Sequence, residues 1–329
     1  MKWSIKQVGA ALTAMCLTVA TVVPAAAQDY PDRPVTLIVP FAAAGPGDII
    51  ARLVADAMRR SLGQEVIVVN MGGAGGTIGT ARVAAAKPDG YTILLGHTGQ
   101  ATQTSLYKSL TYDPVESFDT IGLVTEVPMT IVGKPELEPA DLKTLITYIR
   151  ERPDKLNYAH SGLGSVAQLC GLMFMSATRT KMTVIPHKGG GEVMKDLLAG
   201  QIDVYCEPAT GTTANIQAGK IKPYAVTTKK RVATLPAMPT TAEAGFPEIG
   251  ITTWYALYAP KGTPAPAIAK LAVALQAAVT DSNVVARFAP LSMEPVPLDQ
   301  ATPAALDAKL RAEAKYWTAL LKEAGVQPE

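Results

Sequence analysis

The chain has 329 residues, with 30 lysines and arginines set against 28 aspartates and glutamates. So even a balance argues against nucleic acid or an acidic membrane surface as the partner. The length and ordinary globular composition suit two domains, each with a sizeable core.

The chain opens like a secretory leader. Lys2 and Lys6 precede an uncharged apolar stretch from Val8 to Val23, and Ala25-Ala26-Ala27 supplies the small residues of a cleavage site. Cleavage before Gln28 would release a soluble product of 302 residues in the periplasm, with 28 basic and 28 acidic residues. Cys170 and Cys206 survive that cut. Cys170 falls in a helical pattern and Cys206 ends a strand-like run, and we read them as two buried thiols rather than a bridge. Neither a CxxC nor a paired-histidine spacing is present, so no metal is expected.

Strand and helix then alternate over residues 33–126. Strand 35–41 runs through the glycine turn Ala44-Gly45-Pro46-Gly47-Asp48 into helix 48–61, with Ile49, Leu53, Val54, Ala57 and Met58 on one face. Strand 65–70, the turn 71–76, a helix to Ala86 and strand 91–95 follow. This β-α-β-α-β order predicts a parallel sheet covered by helices on both faces. A second unit begins near Pro128. Its first helix follows Pro139-Ala140-Asp141, with Leu142, Leu145, Ile146 and Ile149 at helical spacing. Strand 155–159 then enters the turn His160-Ser161-Gly162-Leu163-Gly164-Ser165, where Ser165 and Gln168 match a capping box. Strand 183–186 enters a third glycine turn, His187-Lys188-Gly189-Gly190-Gly191-Glu192, followed by helix 191–199 and strands 202–206 and 224–227. Near the end come strand 254–259, a helix from Pro264 to Thr280, and a last helix started by Thr302-Pro303. That last helix presents Leu306, Leu310, Trp317, Leu320 and Leu321 for packing.

Three times, therefore, a β-segment runs into a glycine-rich turn that opens a helix, with no catalytic set beside it. Helix N-termini carry N–H groups without intrahelical acceptors and a partial positive charge. Several converging on one cleft would hold an anion without arginine.

From Tyr30 to the C-terminus the chain resembles the periplasmic solute-binding proteins of tripartite tricarboxylate transport systems, the Bug family. The likeness rests on Leu37-Ile38-Val39-Pro40-Phe41 with its turn to Asp48, Gly73-Ala74-Gly75-Gly76-Thr77-Ile78-Gly79, and Pro88-Asp89-Gly90-Tyr91-Thr92. Ser161-Gly162-Leu163-Gly164-Ser165, Lys188-Gly189-Gly190-Gly191 and Asp196-Leu197-Leu198-Ala199-Gly200 follow in the family order. The resemblance implies an α/β, two-lobed periplasmic-binding-protein fold, type II-like, each lobe a mainly parallel sheet flanked by helices. Residues 28–126 and 251–329 would form lobe 1 and residues 127–250 lobe 2, with the ligand in the cleft between. It implies no catalysis and no cofactor, an organic anion as ligand, and a monomer that hands it to a tripartite tricarboxylate membrane transporter.

Carried over position by position, the first ligand loop is Phe41 to Asp48, including Ala44, Gly45, Pro46 and Gly47. Asp48 would cap its helix or bind a water. Ala42-Ala43-Ala44 departs from the family form and would make the wall apolar. The loop after strand 91–95 brings His97 and Thr98. On the second lobe stand His160, Ser161, Gly162, Gly164 and Ser165, with the Ser165 amide free for ligand, and then His187 and Gly189. Glu207 is a secondary candidate that could reject an extra carboxylate or accept from a hydroxyl or amine. All three histidines of the chain fall in these loops. Histidine donates to carboxylates and stacks on flat rings, so a dicarboxylate is expected, either a short aliphatic one or an aromatic phthalate-type acid.

Two other classes compete. The same fold could serve as the sensing subunit of a two-component receptor. A secreted α/β hydrolase would need a GxSxG elbow, which is missing, or would have to use His160 beside Ser161 or Ser165. No P-loop is present, and Gly73 to Gly79 has GxGxxxG rather than dinucleotide spacing.

Overall fold

The computed structural model describes residues 30–43 and 45–328, so the leader, its cleavage site and Ala44 lie outside the described residues. In chain order the elements are β1 (Val35–Val39), α1 (Pro46–Leu62), β2 (Val66–Asn70), α2 (Thr77–Ala84), β3 (Thr92–His97) and α3 (Gln103–Leu106). There follow β4 (Phe118–Gly133), α4 (Leu142–Glu151), β5 (Asn157–His160), α5 (Val166–Thr178), β6 (Thr183–Pro186), α6 (Gly190–Leu198) and β7 (Val204–Pro208). The chain ends with α7 (Ala209–Gln217), β8 (Lys222–Val226), β9 (Thr252–Pro260), α8 (Ala265–Val279), α9 (Ser282–Phe288), β10 (Glu294–Pro295) and α10 (Pro303–Glu323).

The strands form two groups joined through β4. In the first, β2, β1 and β3 are parallel, and β9 and then β4 add antiparallel strands. In the second, β7, β5 and β6 are parallel, with β7 and β8 each antiparallel to the end of β4. Each group is thus a parallel core closed by antiparallel strands, a more mixed sheet than a strand–helix rhythm predicts. The sequence reading gave β4 no strand and started the second unit near Pro128, a residue type that normally marks a strand edge. Here Pro128 pairs with Thr252 of β9, and the next residue, Met129, pairs with Pro208 of β7. Proline stands where β4 changes partners, and its missing N–H is lost from neither ladder's interior.

Thr227 locks that crossover. Its amide donates to the Met129 carbonyl at 3.0 Å, and its hydroxyl bonds to the Ile251 carbonyl, so the outgoing and returning strands are tied side by side.

Helix α1 starts two residues before the predicted 48, with proline in its first turn, where no intrahelical N–H is needed. Its buried face includes Val54, Ala57 and Met58 as predicted, with Ile50 buried where the prediction had Ile49, and Ile49 and Leu53 only half-buried. Burying Ile50, Val54 or Met58 contributes roughly 1.5–3 kcal/mol each. Thr302 caps α10 as predicted, accepting from the Ala305 amide at 3.3 Å, and Leu306, Leu310, Trp317 and Leu321 are buried beneath it.

The two cysteines overturn the reading of free thiols. Cys170 of α5 and Cys206 of β7 form a disulfide with Cα atoms 6.2 Å apart. Both half-cystines are buried in the apolar core, which is why their helix and strand patterns read as packing thiols.

Candidate functional site

Between the two strand groups lies a cavity of about 610 Å³. Of the predicted site residues, Phe41, Gly45, Pro46 and Gly47 line it from the first loop, and His97 from the end of β3. From the other side come Ser161, Gly162, Gly164, Ser165, His187, Gly189 and Glu207. Asp48, Thr98 and His160 do not line it, and Ala44 lies outside the described residues.

Each of those three side chains is held away from the cavity by a bond of its own. Asp48 is not the cap of α1, which is Gly45; it sits within the first turn and pairs with Arg52 at 3.0 Å. A carboxylate there favours the helix dipole and is neutralised one turn on. The Thr98 hydroxyl accepts from the Trp254 amide at 2.9 Å and faces the Thr252 carbonyl at 3.3 Å, so it is built into β9. His160 is buried, with Nδ1 3.0 Å from the Gly162 carbonyl and 3.2 Å from its amide. Its ring organises its own loop and contacts neither serine hydroxyl as a base would.

The glycine turns present helix N-termini as the sequence leads one to expect, with one adjustment. Gly45 and Gly189 cap α1 and α6 without a side-chain bond, and Gly47 and Gly190, whose amides lie in those first turns, line the cavity. At α5 the Ser165 hydroxyl accepts from the Gln168 amide at 3.2 Å, as predicted. The Gln168 side chain, however, returns to the Gly164 amide at 2.7 Å, and the Ser165 amide donates to Gly162 at 3.1 Å. The Ser165 amide is therefore spent. The N–H groups of Val166 and Ala167, next along the helix and lining the cavity, take its place.

The wall on the first strand group sets an aromatic cluster beside Ala42. Phe41 stacks on His97 with ring centroids 4.6 Å apart, and Tyr255 meets His97 edge-on at 6.3 Å. Burial pushes the His97 ring down to about 4, so it is neutral at ordinary pH. Its Nδ1 accepts from the Gly99 amide at 2.6 Å, which leaves the proton on Nε2. His187 has Nε2 2.8 Å from an Asp196 carboxylate oxygen. Glu207 ends β7, and burial raises its carboxyl to about 7 while the Tyr205 hydroxyl donates to one of its oxygens.

Several lining residues escaped the sequence reading. The segment Gly72 to Gly76 lines the cavity, and a Cβ on Gly75 would lie 2.9 Å from the Leu163 carbonyl of the opposite loop. Its glycine run was visible as a motif, but spacing alone did not say that it faced the same cleft. Thr253 and Tyr255 enter from β9, where only strand pairing with β3 and β4 brings them in. Nothing local signals them. The lining is thus rich in backbone amides and aromatic edges, without arginine among its described residues. That combination holds a small anion by oriented dipoles and packs its hydrocarbon part.

Residues 50–326 match the family model described as tripartite tricarboxylate transporter family receptor. The structure of the periplasmic binding protein BugD is similar at 46% identity and TM-score 0.82, covering 91% of this chain and 100% of that one. MatC from Rhodopseudomonas palustris, solved with bound malate, is 35% identical with TM-score 0.81, covering 89% and 100%. Rpa4515 of R. palustris, solved with adipate, is 31% identical with TM-score 0.83, covering 92% and 100%.

Proposed function

Because the chain belongs to the tripartite tricarboxylate transporter receptor family, a family of periplasmic solute-binding proteins, we propose that it captures a small dicarboxylate between its lobes. It delivers that anion to a tripartite tricarboxylate-type membrane transporter and does no chemistry on it. Lobe 1 is residues 28–126 with 251–329, and lobe 2 is residues 127–250. The leader is cut before Gln28 and the receptor works as a monomer in the periplasm.

The observation that carries this reading is the convergence of three glycine-capped or glycine-led helix N-termini on one arginine-free cavity. Two separate sets of amides suit two carboxylates, one held by the α1 loop and the other by the α5 and α6 loops. Malate and adipate, carried by two similar proteins, are both dicarboxylates. The aromatic wall of Phe41, His97 and Tyr255 packs the carbon skeleton, so a phthalate-type ring competes with an aliphatic chain.

The test is a melting-temperature panel on residues 28–329, stripped of ligand by unfolding and refolding. The acids are monocarboxylates, malate, succinate, adipate, citrate and the three phthalate isomers. A ligand at a hundred times its dissociation constant adds about 2.7 kcal/mol, enough for a shift of several degrees. A selective shift with one diacid supports the reading. Flat melting across every acid would remove the carboxylate assignment.

A further inference from the structure

Glu207 is the acidic side chain among the described cavity-lining residues, and it stands where an anion is to be held. Its surroundings are unusual for a carboxylate. From its own strand the Tyr205 hydroxyl donates to Oε2, and the Thr130 hydroxyl of β4 donates at 3.1 Å to its main-chain carbonyl, not to the carboxyl. From α6 and α7, Gly190 and Gly211 face it: a Cβ on Gly190 would lie 2.8 Å from Oε1, and one on Gly211 would lie 3.2 Å from it. Tyr158 of β5 and Tyr255 of β9 are the remaining titratable groups that bear on it, and both are phenols. Among the described residues no lysine, arginine or histidine bonds to Glu207, and Oε1 has no hydrogen-bond partner. His97, His187 and Lys188 line the same cavity without touching it.

An ionised Glu207 would therefore face the ligand's carboxylate with no cation between them. The N-terminus of α6 favours the ionised form, but no α6 amide bonds to the carboxyl, and burial outweighs the dipole. We propose that Glu207 is a specificity-determining residue that meets one carboxylate of the ligand as a neutral acid, donating through Oε1, so that capture of a dianion takes up one proton from solvent. The protonated carboxyl supplies a strong O–H donor to the anion and removes the like-charge repulsion. With burial raising this carboxyl to about 7, dianion affinity should fall about tenfold per pH unit above that point. The inference rests on the dicarboxylate reading and adds the proton to it.

The experiment is calorimetric titration of the refolded receptor with malate and with adipate at pH 6.5 and 8.5, where both acids are ionised. Each titration is run in two buffers of different ionisation enthalpy. The wild type is expected to bind at least tenfold tighter at pH 6.5, with buffer-dependent heat at pH 8.5 that reports close to one proton taken up. Glu207→Gln keeps an N–H donor without a charge, so it should bind equally at both pH values and near the wild type's tighter affinity. Tyr205→Phe removes the bond that favours the ionised form, so its pH midpoint should move upward. Equal wild-type affinity at both pH values with buffer-independent heat would overturn the proposal while leaving the dicarboxylate reading intact. So would a Glu207→Gln protein that melts normally yet binds neither acid at either pH, since an uncharged N–H donor at this position would then not serve the anion. No heat from either acid at either pH, together with flat melting across the whole acid panel, overturns both.

Discussion

Cys170 and Cys206 are bonded across 36 residues, and the residue that follows the second cysteine is Glu207. The bridge ties α5, whose N-terminus lines the cavity, to β7, whose C-terminal end presents the half-buried Glu207 carboxyl. Both halves of the second lobe's contribution are thereby held to one another by a covalent link. Closing a loop of that length restricts the unfolded chain and is worth roughly 3–4 kcal/mol. Cys170→Ala with Cys206→Ala should lower stability by about that amount, measured by urea denaturation. A thiol reductant should lower the wild-type melting temperature and leave the double variant unmoved.

The Thr98 hydroxyl is expected to matter for stability. Replacing it with valine keeps the shape but leaves the buried Trp254 amide without its acceptor. The cost should be about 1–3 kcal/mol, with Thr98→Ser close to wild type. Denaturation midpoints of the two variants decide it; a valine variant as stable as the parent would contradict the assignment.

Gly75 marks where the two walls touch. Its φ is +61°, and a Cβ would lie 2.3 Å from the Tyr107 hydroxyl and 2.9 Å from the Leu163 carbonyl. Leu163 belongs to the opposite loop, so alanine here should wedge the cleft as well as strain the turn. Diacid affinity should fall tenfold or more, and small-angle scattering should show the liganded variant more extended than the liganded wild type. Identical scattering curves would count against the wedge.

His97 should impose an acid limit on folding. Its ring titrates at about 4 in the folded protein against 6.5 when unfolded, so between those values the unfolded chain binds the extra proton. Stability is then fully present above pH 6.5 and falls as pH drops toward 4, by about 1.4 kcal/mol per unit. His97→Asn keeps an acceptor for the Gly99 amide without an ionisable ring, and its melting temperature should depend less steeply on pH across that window.

How much of this was readable beforehand varies with distance along the chain. Glycine turns, helix starts and the Thr302 cap follow from neighbours within four residues, so their chemistry is written locally. Thr98 and His160, expected in the cleft loops, do not line the cavity, for the complementary reason. A hydroxyl or imidazole in a cleft loop looks available in sequence, and only the folded chain shows that β9 or the loop itself has taken it. The disulfide, the Tyr255 wall and the β4 crossover all join residues far apart in sequence, which periodicity cannot pair.

By itself, then, the sequence determined the family, the α/β rhythm and the glycine turns that open helices, because backbone conformation and helix ends are set by short-range sterics and hydrogen bonds. Which polar groups remain free for a ligand, and the burial that lifts Glu207 and lowers His97, were decided by tertiary structure alone. Those quantities depend on what packs around a group in three dimensions, and water is excluded only once the distant strands have closed over it.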